Sequence, residues 1–158
     1  MLNVAVINGG RGAASLIPSL LSAPDLQVTS IVNAYDDGKS TGEIRKFFGM
    51  LGPSDIRKVQ ELMLPEDHKD FRSSQHLFQF RYSEDIKRES ILKELEDYAQ
   101  ERSNTVTGVS FQSALIDGSI RAFINEFIIS LKLIEKNTQE EFNFSDCSIM
   151  NCIYAGAF

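Results

Sequence analysis

Leu2 to Ile7 is an apolar run rich in valine and isoleucine, and it stops on Asn8-Gly9-Gly10-Arg11-Gly12. No other feature restricts the fold of this chain as much. A short apolar run without polar alternation reads as a strand buried on both faces, as in a parallel sheet. Ala13 to Leu21 then reads as a helix with Gly12 at its entrance, bent or restarted at Pro18. Pro24-Asp25 is a turn, and Gln27 to Ala34 is a second strand with Val28, Ile31 and Val32 as its apolar members. Strand, glycine turn, helix, strand is the opening of a βαβ unit, whose crossover is nearly always right-handed. The predicted class is α/β: a Rossmann-like parallel sheet with helices on both faces, incomplete in this chain and carrying a helical insertion.

Composition removes several function classes. A chain of 158 residues, 42% hydrophobic and 24% charged, has the size and balance of one globular domain. A formal charge of −6 argues against a non-specific nucleic-acid binder, which needs a basic face to displace counterions. It leaves room for a single phosphate ligand, because one loop of backbone N–H groups holds phosphate whatever the net charge. Cys147 and Cys152 form no C-x-x-C pair, and His68 and His76 lie far from them in sequence. Neither a disulfide framework nor a zinc site is expected, and a reduced cytoplasmic protein with buried thiols is. Met1-Leu2-Asn3-Val4 lacks the positive start of a signal peptide. Ile120 to Ile134 is interrupted by Arg121, Glu126 and Lys132, too short and too charged to span a bilayer. No membrane partner is expected.

Further along, Ser40 to Met50 reads as a helix, with Ser40 as N-cap and Glu43 closing a capping box. Ser54 or Asp55 caps the next helix, which runs to about Leu64. Residues 65–76 are polar and loop-like. Glu84 to Arg102 has one apolar helical face, and 104–111 reads as a strand or a loop around Gly108. Ser119 to Lys136 reads as a long helix, apolar on much more than one stripe and therefore buried against helices or another chain. The predicted organisation is a nucleotide-binding α/β part over 1–82, a mainly helical insertion over 83–145, and a return to the α/β part over 146–158.

Five short motifs carry the candidate chemistry. The glycine loop Gly9, Gly10, Arg11, Gly12, set between strand and helix, suits a phosphate or diphosphate. Glycine allows close backbone approach, the helix N-terminus supplies N–H groups, and Arg11 can add a bidentate contact. The dinucleotide pattern is incomplete, because Ser15 stands where its third glycine belongs. The second motif is Asp36-Asp37-Gly38-Lys39-Ser40-Thr41-Gly42. It is no P-loop: Asn33 stands where that motif needs glycine, and two aspartates would repel phosphate. Adjacent carboxylates at the C-terminal edge of a parallel sheet suit Mg²⁺ or proton removal from an attacking hydroxyl. They also suit an acidic surface turn ahead of a helix. Pro53-Ser54-Asp55-Ile56-Arg57 is a turn and helix start, and Leu77 to Tyr82 sets aromatics around Arg81. Ser148-Ile149-Met150-Asn151 is another helix start.

In this order the five motifs resemble those of the CofD-like family, which contains 2-phospho-L-lactate transferase and the UDP-sugar-binding gluconeogenesis factor. The family shows Gly-Gly-Gly-Thr-Gly after its first strand and Asp-Asp-Gly-Gly-Ser-Ser-Gly after its second. It then shows Pro-Gly-Asp-Ile-Arg-Asn, Leu-Phe-x-Tyr-Arg-Phe and Ser-x-Gly-Asn-Leu. The likeness covers Met1 to about Tyr82 and Asp146 to Phe158. It implies that Gly9, Gly10, Arg11, Gly12, Asp55, Arg57 and Asn151 bind a guanine- or uridine-diphosphate nucleotide. It also implies that Asp36 and Asp37 hold Mg²⁺ or the acceptor and do the catalytic work. The family reaction moves a phospholactyl group from a guanylyl donor to a hydroxyl. This chain departs from the pattern at Asn8, Arg11, Lys39, Lys58 and Met150, which marks a divergent member.

The leading expectation is a 2-phospho-L-lactate transferase-like protein using Mg²⁺ and a small-molecule nucleotide or nucleotide-sugar ligand. The alternatives are a non-catalytic UDP-sugar or nucleotide-binding regulator on the same fold, and an interaction module built on the inserted helices, with self-association into a homo-oligomer. The apolar stretch Ile153 to Phe158 is expected to lack partners within these residues, as though the functional unit were larger.

Overall fold

The structure, a computed structural model, describes residues 1–9, 12–110 and 119–158. Strand β1 (Leu2–Asn8) pairs in parallel with β2 (Leu26–Val32), Leu2 opposite Leu26 and Asn8 opposite Val32. Helix α1 (Leu16–Leu21) makes the crossover between them. Parallel pairing requires such a crossover, and the Val/Ile content of both runs suits the pleated surface. After β2 the order is α2 (Lys39–Phe48), α3 (Ser54–Leu62), α4 (Phe71–Gln79), α5 (Arg88–Ala99), a short hairpin of β3 (Thr105–Val106) and β4 (Val109–Ser110), α6 (Ser119–Thr138) and α7 (Ile149–Ala157). This is α/β, with a two-stranded parallel sheet and seven helices among the described residues, an incomplete Rossmann-like arrangement.

The strands differ from expectation in being buried on one face only. Val4 and Val6 face Ala13, Ile17, Val59 and Leu62, forming a small core between the sheet, α1 and α3. Ala5 and Ile7 point the other way and are exposed, Ile7 at 84% and its cross-strand partner Ile31 at 51%. A period of two sends alternate residues to opposite faces, and only one face is covered among the described residues.

A larger core joins α2, α4, α5, α6 and α7. Ile120, Ile124, Phe127, Ile128 and Leu131 make one buried stripe along α6 at helical spacing. Ile129 and Leu133 on the same helix are exposed, so α6 is narrower in its burial than its composition predicts. Phe142 and Phe144 follow α6 and stack edge-on, ring centroids 4.9 Å apart, against Phe127 and Tyr82. Helix α7 is buried over Ile149, Met150, Cys152, Ile153 and Ala155. The expectation of unpartnered apolar residues there is corrected: α6 covers Ile153 and Ala155, and only the last two residues, Ala157 and Phe158, are left exposed. The helices meet at Gly156, where a Cβ would stand 1.7 Å from the Phe123 carbonyl oxygen.

Two local expectations are also corrected. The polar stretch after Leu64 contains the start of a helix, because Ser74, Leu77 and Phe78 fall on the inner face of α4, with Phe71 half-buried at its start. Helix α2 begins at Lys39 behind Gly38, without a side-chain cap. Ser40 does not cap it; its hydroxyl is turned inward and accepts from the Ser148 N–H and the Asn151 side-chain amide.

Candidate functional site

The parallel ladder ends at Asn33, whose N–H donates to the Asn8 carbonyl. Past that rung both chains leave the sheet at its C-terminal edge, where open α/β sheets bind ligands. The Gly52 N–H donates to the Ala34 carbonyl at 2.9 Å, so the turn before α3 lies against the segment leaving β2. No side chain fits at Gly52: a Cβ would meet the Asp36 carbonyl oxygen at 2.6 Å. A second pairing, Arg81 opposite Ser148, brings the end of α4 beside the start of α7. There the Arg81 guanidinium donates to the Asp146 carbonyl at 2.7 Å.

These constraints enclose a cleft of about 580 Å³, lined by Gly9, Gly12, Asp36, Gly38, Ser40, Thr41, Ser54, Asp55, Lys58, Arg81 and Asp146. The first turns of α2 and α3 both form its wall. Opening turns carry N–H groups without intrahelical partners and the positive ends of the helix dipoles.

Asp36 accepts from the Gly38 N–H at 3.2 Å, and its other oxygen lies 3.5 Å from Lys58 Nζ. Partial burial pushes this carboxyl up; the Gly38 N–H, the Lys58 charge and Ser54 outweigh that and hold it below its usual range. Lys58 Nζ also donates to Asp55 Oδ1 at 2.9 Å. Asp55 in turn lies against the glycine loop, where a Cβ on Gly9 would stand 3.5 Å from its Oδ2.

The residues predicted from sequence are thus sorted by the fold. Gly9, Gly12, Asp36 and Asp55 share the cleft. Gly10 and Arg11 lie outside the described residues. Asp37 is turned from the cleft to the outer face of α2, exposed and paired with Arg45 at 2.8 Å. Arg57 is buried, donating to the Phe78 carbonyl and lying 3.9 Å from Glu61, and so ties α3 to α4. Asn151 is fully buried behind Ser40, one hydrogen bond removed from the cleft. Lys58, Arg81 and Asp146 line the cleft without having been singled out as ligands. The aromatic setting of Arg81 marked its segment as a motif, and Lys58 stood out only as a departure from the family pattern.

A resident Mg²⁺ does not fit this donor set. Magnesium takes bare carboxylate oxygens in octahedral geometry. Asp36 Oδ2 and Asp55 Oδ1 both face the Lys58 ammonium, and Asp37 points elsewhere. Among the described residues no three His, Cys, Asp or Glu side chains converge on one point. Nor is any helix among them long and apolar enough to cross a membrane.

The gluconeogenesis factor of Listeria monocytogenes is 40% identical over 82 residues, which cover 52% of this chain and 24% of that protein. The gluconeogenesis factor of Listeria innocua is 39% identical over a stretch of the same length and shares. The chain thus spans about a quarter or less of the length of the curated relatives it matches. No solved structure matches it. The model of the family described as 2-phospho-L-lactate transferase CofD matches residues 4–137, from β1 through nearly all of α6, and the chain therefore belongs to the CofD family.

Proposed function

We propose that the cleft binds the phosphate-bearing part of a nucleotide-type ligand, and that the chain works as a 2-phospho-L-lactate transferase-like protein. One observation carries this reading: the opening turns of α2 and α3, the glycines Gly9 and Gly12 and the cations Lys58 and Arg81 all face one cavity. Backbone N–H groups at two helix starts suit a diphosphate, and the two cations offset its charge. The size of the cleft falls within the usual range for small-molecule sites, about 300–1,000 Å³. Transfer to a hydroxyl acceptor would draw on Asp36, the one of the two candidate catalytic carboxylates that lines the cleft.

Calorimetric titration with GDP, UDP and a UDP-sugar tests binding. A Cβ at Gly12 has space, its nearest neighbour being the Gly9 carbonyl oxygen at 3.8 Å. Gly12→Ala therefore adds a methyl to the cleft without a clash among the described residues, and is expected to weaken binding by about tenfold or more, the worth of one charge-assisted hydrogen bond. Unchanged affinity in the folded variant overturns the proposal.

A second reading, nucleotide-sugar binding without turnover, is favoured by the engagement of both candidate catalytic carboxylates with cations: Asp36 with Lys58 and Asp37 with Arg45. A turnover assay with a guanylyl donor and hydroxyl acceptors separates the two, since release of GMP requires catalysis.

A further inference from the structure

Lys58 sits one turn into α3, three residues after Asp55. Its ammonium lies 2.9 Å from Asp55 Oδ1 and 3.5 Å from Asp36 Oδ2, so one cation bridges carboxylates from two different elements. The lysine side chain is 29% exposed and lines the cleft. An ammonium carries three donors, of which two carboxylates engage two. The remaining N–H is available to an anion in the cavity. A divalent ion in the same place would hold the carboxylate wall on one side and ligand oxygens on the other.

We propose that Lys58 is a built-in replacement for that ion. It bridges Asp36 and Asp55 to a bound phosphate oxygen and makes ligand binding by this chain independent of divalent metal. Because the ammonium is a point charge on a flexible stem, it supplies the charge without demanding octahedral coordination. Its presence also repels a metal from the two oxygens a metal would need. The inference rests on the reading of the cleft as a phosphate site, and its test separates the two.

The wild-type protein is titrated calorimetrically with GDP and with UDP, once in excess Mg²⁺ and once in excess EDTA. The expected result is the same affinity in both, within about twofold. In Lys58→Asn the carboxylates are released: binding in EDTA is expected to fall by about tenfold or more, and Mg²⁺ is expected to restore it. Circular dichroism establishes that the variant is folded, and the wild-type comparison stands without it. Wild-type binding that requires Mg²⁺ overturns the lysine inference and leaves the phosphate site in place. Undiminished binding by folded Lys58→Asn in EDTA does the same. An absence of binding under both conditions overturns the phosphate reading, and the inference with it.

Discussion

Asn151 donates its side-chain amide to Ser40 Oγ at 3.0 Å, joining residues 111 positions apart in the chain. The same hydroxyl oxygen accepts the Ser148 N–H at 3.2 Å. One side chain thereby anchors the start of α7 to the first turn of α2, directly behind the wall of the cleft. Ser40→Ala removes the acceptor and leaves two buried donors unmatched. Each such group costs about 1–3 kcal/mol. Urea denaturation should report a loss of at least that size, with an unchanged m-value. A loss under about 0.5 kcal/mol, the scale of an ordinary surface change, would show that the anchor is not formed.

Gly156 lets α7 cross α6 at backbone contact. Gly156→Ala places a methyl where the Phe123 carbonyl already is, and the helices must separate. Overpacking of this kind costs about 1–3 kcal/mol and sometimes more. The control is Gly49→Ala at the end of α2, where φ is +65° but no atom lies within 4 Å of the added carbon. That substitution carries only the left-handed backbone penalty, about 1–2 kcal/mol. Amide exchange distinguishes them: Gly156→Ala should lower protection along both α6 and α7, and Gly49→Ala only at the end of α2.

Glu94 on α5 accepts the backbone N–H of Thr107, a residue held at φ +57°. Burial raises the Glu94 carboxyl above its ordinary value of 4.5, and the Thr107 N–H only partly opposes the rise. The folded state therefore binds this proton more tightly than the unfolded chain does. Stability linked to Glu94 is fully present below the unfolded value and is lost as pH rises through the folded one. Glu94→Gln keeps the acceptor oxygen and removes the charge. It should match the wild type near pH 4 and exceed it at pH 7.5 in paired urea titrations, pH values on either side of the ordinary value of 4.5. Equal stabilities at both pH values would contradict the assignment.

Local patterns made much of this fold legible. The two Val/Ile runs, the glycine turn and the turn at Gly52-Pro53 place β1, β2 and α3 within a residue or two. Helix α4 was hidden because its first apolar residue, Phe71, follows a polar stretch and its start has no side-chain cap. The periodicity shows only when Phe71 is counted with Leu77 and Phe78. At the site, motif order located the cleft but not its electrostatics. Asp36 and Asp37 are neighbours in sequence, yet the backbone turns one inward and the other onto Arg45. Lys58 stood out only as a departure from the family pattern, because its second carboxylate, Asp36, is 22 positions away, beyond any helical spacing. Ser40 had every mark of an N-cap, and only the distant Asn151 and Ser148 explain why its hydroxyl faces inward.

The bond from the Gly52 N–H to the Ala34 carbonyl acts as a clasp between two connectors that would otherwise wander independently. With it closed, the route from Asp36 to Lys58 runs through a short backbone bridge and one helical turn. The spacing between carboxylate and ammonium is then set by side-chain torsions, not by the excursions of two loops. A cavity assembled from connectors thereby acquires the dimensional tolerance of one carried on strands and helices.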